Sequence, residues 1–175
     1  MATIQDRVRD AITDVPDFPK PGILFKDITP VCMDPALFRD VTRHFAQQWA
    51  GQGITHVAAV ESRGFVFGAP LALEMGLPLV IVRKPGKLPR PTISVTYGLE
   101  YGSDTLHIHE DALSASDKVL VIDDVLATGG TARATGELVE KCGATVGGYA
   151  FLIELAFLEG RPKLGDLPVE SIYSY

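Results

Sequence analysis

Apolar residues first recur at a helical interval, with Ile4, Val8 and Ile12 on one face, and Pro16 marks a point the helix cannot pass. The stretch Asp14 to Gly22 (DVPDFPKPG) carries three prolines and is expected to run extended over a surface. Asp34-Pro35 reads as a helix start, with Asp as cap and Pro in the first turn. Leu37, Phe38, Val41, Phe45 and Trp49 form that helix's apolar stripe, and Gly51 and Gly53 stop it. Short apolar runs then alternate with helical stretches. HVAAVE (56–61), a helix near 66–75 and LPLVIV (77–82) make one strand, helix, strand unit; KVLVID (118–123), a helix over 130–142 closed by Gly143, and GGYAFLIEL (147–155) make another. This alternation predicts an α/β fold with a mainly parallel central sheet and helices on both faces. Between the two units, Lys84 to Glu110 is rich in Pro, Gly and charge, and Ile93, Val95, Tyr97 and Leu106, Ile108 alternate like the strands of a hairpin. That segment, 84–110, is expected to be a mobile flap inserted in a single domain spanning 1–175, since neither repeat nor linker interrupts the chain.

A length of 175 residues suits one hydrophobic core. With 46% hydrophobic and 22% charged residues, a disordered chain, a collagen and a coiled-coil rod are excluded. Lys and Arg number 16 against 22 Asp and Glu, a net charge of −6 that disfavours unspecific binding to nucleic acid or an anionic membrane. Cys32 and Cys142 lie far apart without a CxxC spacing, so they are expected as reduced, mostly buried thiols rather than a disulfide or zinc site. His44, His56, His107 and His109 show no metal-ligand spacing. Asp6, Arg7, Arg9 and Asp10 interrupt any signal peptide, and the longest apolar span, 144–158, is broken by Gly147, Gly148 and Glu154. The expectation is a soluble, cytoplasmic protein without membrane partners.

The most informative stretch is Val119 to Thr131, VLVIDDVLATGGT. A buried strand runs into two carboxylates, then a small polar turn, then a helix. Parallel strands present ligands at their C-terminal ends, so Asp123 and Asp124 are expected in a cleft. The turn Ala127, Thr128, Gly129, Gly130, Thr131 can fold its amides around a phosphate, favoured by the helix N-terminus. Neither the Walker GxxxxGK[ST] nor the dinucleotide GxGxxG is present. Acids beside a phosphate cradle suit hydroxyl groups next to that phosphate, as in a ribose 5-phosphate. Taken alone, the acid pair also reads as a solvated turn or the Mg2+-binding pair of a receiver domain.

These thirteen residues resemble the phosphoribosyl pyrophosphate (PRPP) signature of the type I phosphoribosyltransferases. FPKPGILFKDITP (18–30), VESRGFVFG (60–68), VRKPGKLPR (82–90) and YGLEYGSDTL (97–106) resemble the adenine phosphoribosyltransferases, and together they cover nearly the whole chain. The resemblance implies the type I fold with an N-terminal hood over 1–33, conversion of adenine and PRPP to AMP and pyrophosphate with Mg2+, and a homodimer. Asp123 and Asp124 would then bind the ribose hydroxyls and Ala127 to Thr131 the 5′-phosphate. Glu61-Ser62-Arg63-Gly64 would be the pyrophosphate loop, commonly with a non-proline cis peptide in this class, and Ser62, Arg63, Arg83, Lys84 and Lys87 would surround the leaving group. For Arg83, a place across the dimer contact is the alternative. The flap would bring Glu100 to the purine as the catalytic carboxylate, with Tyr101 beside it. Adenine would be held by the segment from Ile23 through Leu24, Phe25 and Lys26 and by Leu155, with Lys26 standing where relatives more often carry Arg. The Mg2+ ion would be held mainly by PRPP, with no dedicated set of protein ligands.

Blander roles stand beside these. Glu61 and Arg63 alone would be a surface salt pair, Glu100 a solvated loop carboxylate, and Lys84, Lys87 and Arg90 solubilising charges. Phe38, Phe45 and Trp49 read as core, and Phe65 and Phe67 as packing behind the pyrophosphate loop. The rival functions are the same transfer to another purine such as xanthine or hypoxanthine, and a PRPP-sensing regulator that binds nucleic acid. No helix-turn-helix is appended to support the latter.

Overall fold

The computed structural model describes residues 2–98 and 102–175. Helix α1 (Ile4–Ala11) opens on a capping box, in which the Thr3 hydroxyl accepts from the Asp6 amide and Asp6 accepts from the Thr3 amide. Strands β1 (Thr13–Pro16) and β2 (Leu24–Asp27) pair antiparallel with Val15 opposite Phe25, so the proline-rich segment folds back on itself. A short helix α2 (Thr29–Met33) leads to α3 (Pro35–Trp49), which Asp34 caps through the amides of Ala36 and Leu37.

The central sheet has the order β4-β3-β7-β8-β9, formed by β3 (His56–Val60), β4 (Leu79–Val82), β7 (Lys118–Leu126), β8 (Thr145–Glu154) and β9 (Val169–Ser174). Every neighbouring pair is parallel. Helix α4 (Gly64–Met75) joins β3 to β4, and α5 (Gly130–Lys141) joins β7 to β8. The two crossovers lead outward in opposite directions from the β3/β7 seam, which makes that seam the topological switch point where α/β sheets hold ligands.

Alternation along β7 divides the core. Val119 and Val121 pack with Leu138 and Val139 of α5, whereas Leu120 and Ile122 pack with Phe45, Phe67 and Leu71 on the other face. Gly68 brings α4 close to the sheet; a Cβ there would stand 2.5 Å from the Ala59 Cβ. Strands β5 (Thr92–Gly98) and β6 (Ser103–His109) form the expected antiparallel pair. Arg83 and His107 exchange backbone hydrogen bonds at 2.9 and 2.7 Å, tying that pair to the end of β4.

Several local expectations need correction. Strand β7 does not end at Asp123; Val125 and Leu126 continue it opposite Ile153 and Glu154, so both acids lie inside the strand. Strand β3 ends at Val60 and leaves Glu61 to the turn. Strand β8 begins at Thr145, and its register slips at Gly148 (φ 157), where a Cβ would stand 2.2 Å from the Trp49 ring. Strand β9 and helix α2 are unanticipated. Cys32 and Cys142 are half-buried rather than mostly buried, and burial raises both thiol pKa values. Among the described residues no helix is long and apolar enough to cross a membrane.

Candidate active site

The turn after β7 offers donors that an anion could accept. Gly129 takes φ 79 and precedes the first turn of α5, whose N-terminal amides receive no side-chain cap. Those donors point away from the helix and carry its positive dipole end. The Thr131 hydroxyl lies 3.1 Å from the Tyr97 hydroxyl, which connects this turn to the end of β5. Burial raises the Tyr97 pKa, so its phenol stays protonated as a hydrogen-bonding group.

The two carboxylates sit just before that turn. Arg63 Nε donates to Asp124 Oδ2 at 2.5 Å, and the Asp124 side chain is only 5% exposed. Asp123 Oδ1 accepts from the Asp124 amide at 2.8 Å. Burial, followed by repulsion from Asp124, pushes the Asp123 carboxyl well above the ordinary carboxylate range. Gly64 permits this arrangement, because a Cβ there would come within 3.0 Å of Asp123 Oδ1 and 3.1 Å of the Ile122 carbonyl.

The turn after β3 meets the acids across the seam. The Glu61–Ser62 peptide is cis. Glu61 pairs with Arg83 and not with Arg63, accepting from the Lys84 amide and from Arg83 Nε, each at 3.0 Å. The Lys84 amide, then Arg83, lowers the Glu61 pKa below the usual carboxylate range. Lys84 Nζ reaches Asp104 at 3.0 Å, an ion pair that raises the Lys84 pKa and lowers that of Asp104.

Two adjoining clefts result. One, of about 460 Å³, is polar and bordered by Glu61, Ser62, Lys84, Tyr97 and Asp104. The other, of about 320 Å³, is walled by Ile23, Leu24, Phe25, Lys26 and Leu155 on one side and Ala127 to Thr131 on the other. Arg63, Asp123, Asp124 and Thr131 line both. Phe25 is braced edge-on by Phe18 at 5.1 Å and carries the Arg63 guanidinium 5.7 Å above its ring. The Lys26 ammonium turns to Asp14 at 2.7 Å and to the face of Tyr175 at 3.9 Å.

The sequence-derived candidates therefore converge, with exceptions. Arg83 faces Glu61, and Lys87 accepts Arg83 Nη1 on its carbonyl, so neither side chain lines the clefts. Glu100 and Tyr101 lie outside the described residues. Tyr97, Asp104, Val125 and Phe151 are not among the site residues the sequence suggests, yet all four line the clefts.

The family model described as a phosphoribosyl transferase domain matches residues 34–171. The adenine phosphoribosyltransferase of Anaeromyxobacter dehalogenans is 54% identical, covering 98% of this chain and 100% of its own. This chain belongs to the adenine phosphoribosyltransferase family. It is accordingly an enzyme, and its parallel sheet with flanking helices is the type I phosphoribosyltransferase fold. The adenine phosphoribosyltransferase of Thermoanaerobacter pseudethanolicus superposes with a TM-score of 0.95 at 47% identity, covering 98% of this chain and 99% of that one. The Saccharomyces cerevisiae adenine phosphoribosyltransferase, solved with adenine and an imino-altritol bisphosphate, superposes with a TM-score of 0.92 at 41% identity, covering 98% and 99%.

Proposed function

We propose that this chain performs purine salvage, transferring the 5-phosphoribosyl group of PRPP to adenine to give AMP and pyrophosphate. The observation that carries the residue assignments is the sharing of Arg63, Asp123, Asp124 and Thr131 by an apolar and a polar cleft. Such a junction suits a substrate whose ribose spans a base on one side and a pyrophosphate on the other.

In this account, the amides of Ala127 to Thr131 and the Thr131 hydroxyl hold the 5′-phosphate, and Asp123 and Asp124 accept hydrogen bonds from the ribose hydroxyls. Ser62, Arg63 and Lys84 surround the pyrophosphate, supporting the negative charge that develops as its bond to C1′ breaks. Arg83 and Lys87 act one layer behind, Arg83 by holding Glu61. Adenine lies against Leu24, Phe25, Lys26 and Leu155, and its N9 attacks C1′ while its proton departs. Glu100 is the proposed carboxylate for that proton or for the charge it leaves, with Tyr101 beside it. Closing the site over the bound substrates would exclude water, while strands β5 and β6 themselves stay packed on the core through Val95, Leu106 and Ile108.

The donor set is compatible with Mg2+ delivered on PRPP. Such an ion keeps waters and substrate oxygens and needs at most one or two carboxylates; Asp123 and Asp124, which line both clefts, would be the carboxylates to offer it. When bound, it would neutralise charge on the departing pyrophosphate. The chain is proposed to act in the cytoplasm, as a homodimer, without nucleic-acid or membrane partners.

Offering Mg2+-PRPP with adenine, hypoxanthine, guanine, xanthine, uracil or orotate tests the proposal. AMP from adenine alone is the expected product. A nucleotide from another base would overturn the base assignment, and PRPP binding without any product would favour a PRPP sensor.

A further inference from the structure

The phosphate turn leans on a segment distant from it in sequence. After β8 the chain makes a 3-10 turn (Ala156–Leu158), passes through Glu159 at φ 50, and enters a second 3-10 turn (Arg161–Leu164) at Gly160. Residues 156–159 are exposed, yet Gly160 is buried. A Cβ on Gly160 would stand 2.1 Å from the Ala127 carbonyl oxygen and 2.9 Å from the Gly129 nitrogen. Reciprocally, a Cβ on Gly129 would stand 2.4 Å from the Gly160 carbonyl oxygen. Two backbones therefore pack directly against each other, one of them the phosphate turn, and Gly160 itself does not line the clefts.

The neighbouring residue anchors this contact. Arg161 donates to both carboxylate oxygens of Glu154, with Nε at 3.0 Å from Oε1, and its Nη1 donates to the Val169 carbonyl at 2.9 Å. The Glu154 side chain is 8% exposed and stands at the end of β8, opposite Leu126 of β7. The fork thus ties the 160–161 backbone to the strand that pairs beside the turn.

We propose that Gly160, anchored by the Arg161–Glu154 fork, is a backstop that positions the Ala127–Thr131 turn for the substrate's 5′-phosphate, a positioning role rather than a direct contact. The inference rests on the assignment of that turn to the 5′-phosphate. Gly160 has φ −73 and ψ −34, a conformation that alanine adopts without strain. A Gly160→Ala methyl group therefore acts by displacing the turn, and not by straining its own backbone.

The test compares wild type, Gly160→Ala and Thr131→Val for KM of PRPP and of adenine, and for binding of AMP and adenosine by calorimetry. Displacement of the turn is expected to raise the PRPP KM roughly 10- to 100-fold and weaken AMP, while adenosine binding and the adenine KM change little. If Thr131→Val weakens AMP selectively but Gly160→Ala leaves PRPP KM within about twofold of wild type, the backstop is refuted and the phosphate assignment stands. If both variants weaken AMP and adenosine equally, the phosphate assignment itself fails and the backstop with it. Should Gly160→Ala not accumulate as folded protein, Arg161→Lys, which keeps the charge but lacks the fork, decides by the same selective loss of AMP over adenosine or its absence.

Discussion

Arg63 and Asp124 form an ion pair at 2.5 Å across the seam between β3 and β7, with the arginine half-exposed and the aspartate side chain 5% exposed. Each partner belongs to a different arm of the site, so the pair sets the spacing between the turn after β3 and the acids of β7. In the proposed reaction a pyrophosphate beside Arg63 would supply a second anion, and a ribose hydroxyl would supply Asp124 with a second donor.

Asp124→Asn removes the charge that orients Arg63 and weakens the acceptor for ribose. Hydrogen bonds to charged groups contribute about 1.5–3 kcal/mol, so the KM for PRPP is expected to rise by roughly 10- to 100-fold. Initial rates at saturating adenine measure this, and the adenine KM should move far less.

Tyr97→Phe deletes the hydroxyl that meets Thr131 at 3.1 Å while keeping the ring against Gly130. A neutral hydrogen bond is worth about 0.5–1.5 kcal/mol, which corresponds to a rise in PRPP KM of roughly 2- to 10-fold. An unchanged PRPP KM would mean that the end of β5 does not support the phosphate turn.

Glu100→Ala tests a residue assigned from sequence resemblance. Turnover is expected to fall by roughly 100-fold or more while PRPP binding stays near wild type, since general acid–base contributions are of that size. Steady-state kcat together with PRPP binding by calorimetry separates the two; undiminished kcat would remove Glu100 from catalysis.

Glu154→Gln tests the fork behind the turn through pH. Hydrogen bonding from Arg161 holds the Glu154 pKa below its ordinary value near 4.5. The folded state therefore binds this proton less readily than the unfolded chain, so the contribution is complete above the ordinary value and is lost as pH falls through the lowered one. Because Arg161 is 45% exposed, the expected loss at pH 7 is about 1–2 kcal/mol in urea denaturation. The difference between variant and wild type should shrink as the pH falls below the ordinary Glu value.

Much of this architecture is legible in the chain because its signals are local. The apolar run of β7, the Ala127 to Thr131 turn and the α5 helix are contiguous, and the 93–97 and 106–108 alternation marks a hairpin without tertiary information. What escapes is set by contacts between distant residues. Strand β7 extends past its carboxylates because β8 supplies partners for Val125 and Leu126. Strand β9 carries mixed burial and only six residues, and gains its identity from pairing with β8. In the site, Asp123, Asp124 and the phosphate turn are readable as one motif, whereas Arg63 reaching Asp124, Tyr97 reaching Thr131 and Gly160 backing the turn depend on closure of the fold. The orientation of Arg83 toward Glu61 likewise follows from the β3/β4 pairing, which brings two turns side by side.

Asp123 and Asp124, at the junction of the two clefts, are proposed to hold the ribose during phosphoribosyl transfer to adenine. The most direct measurement is AMP formation from adenine and PRPP, with and without Mg2+, by wild type and by the Asp123→Asn/Asp124→Asn double variant over a range of PRPP concentrations. Wild type should form AMP in the presence of Mg2+, and the double variant should require far more PRPP to do so. AMP formation with an unaltered dependence on PRPP in the double variant, or no AMP from folded wild type, would contradict the account.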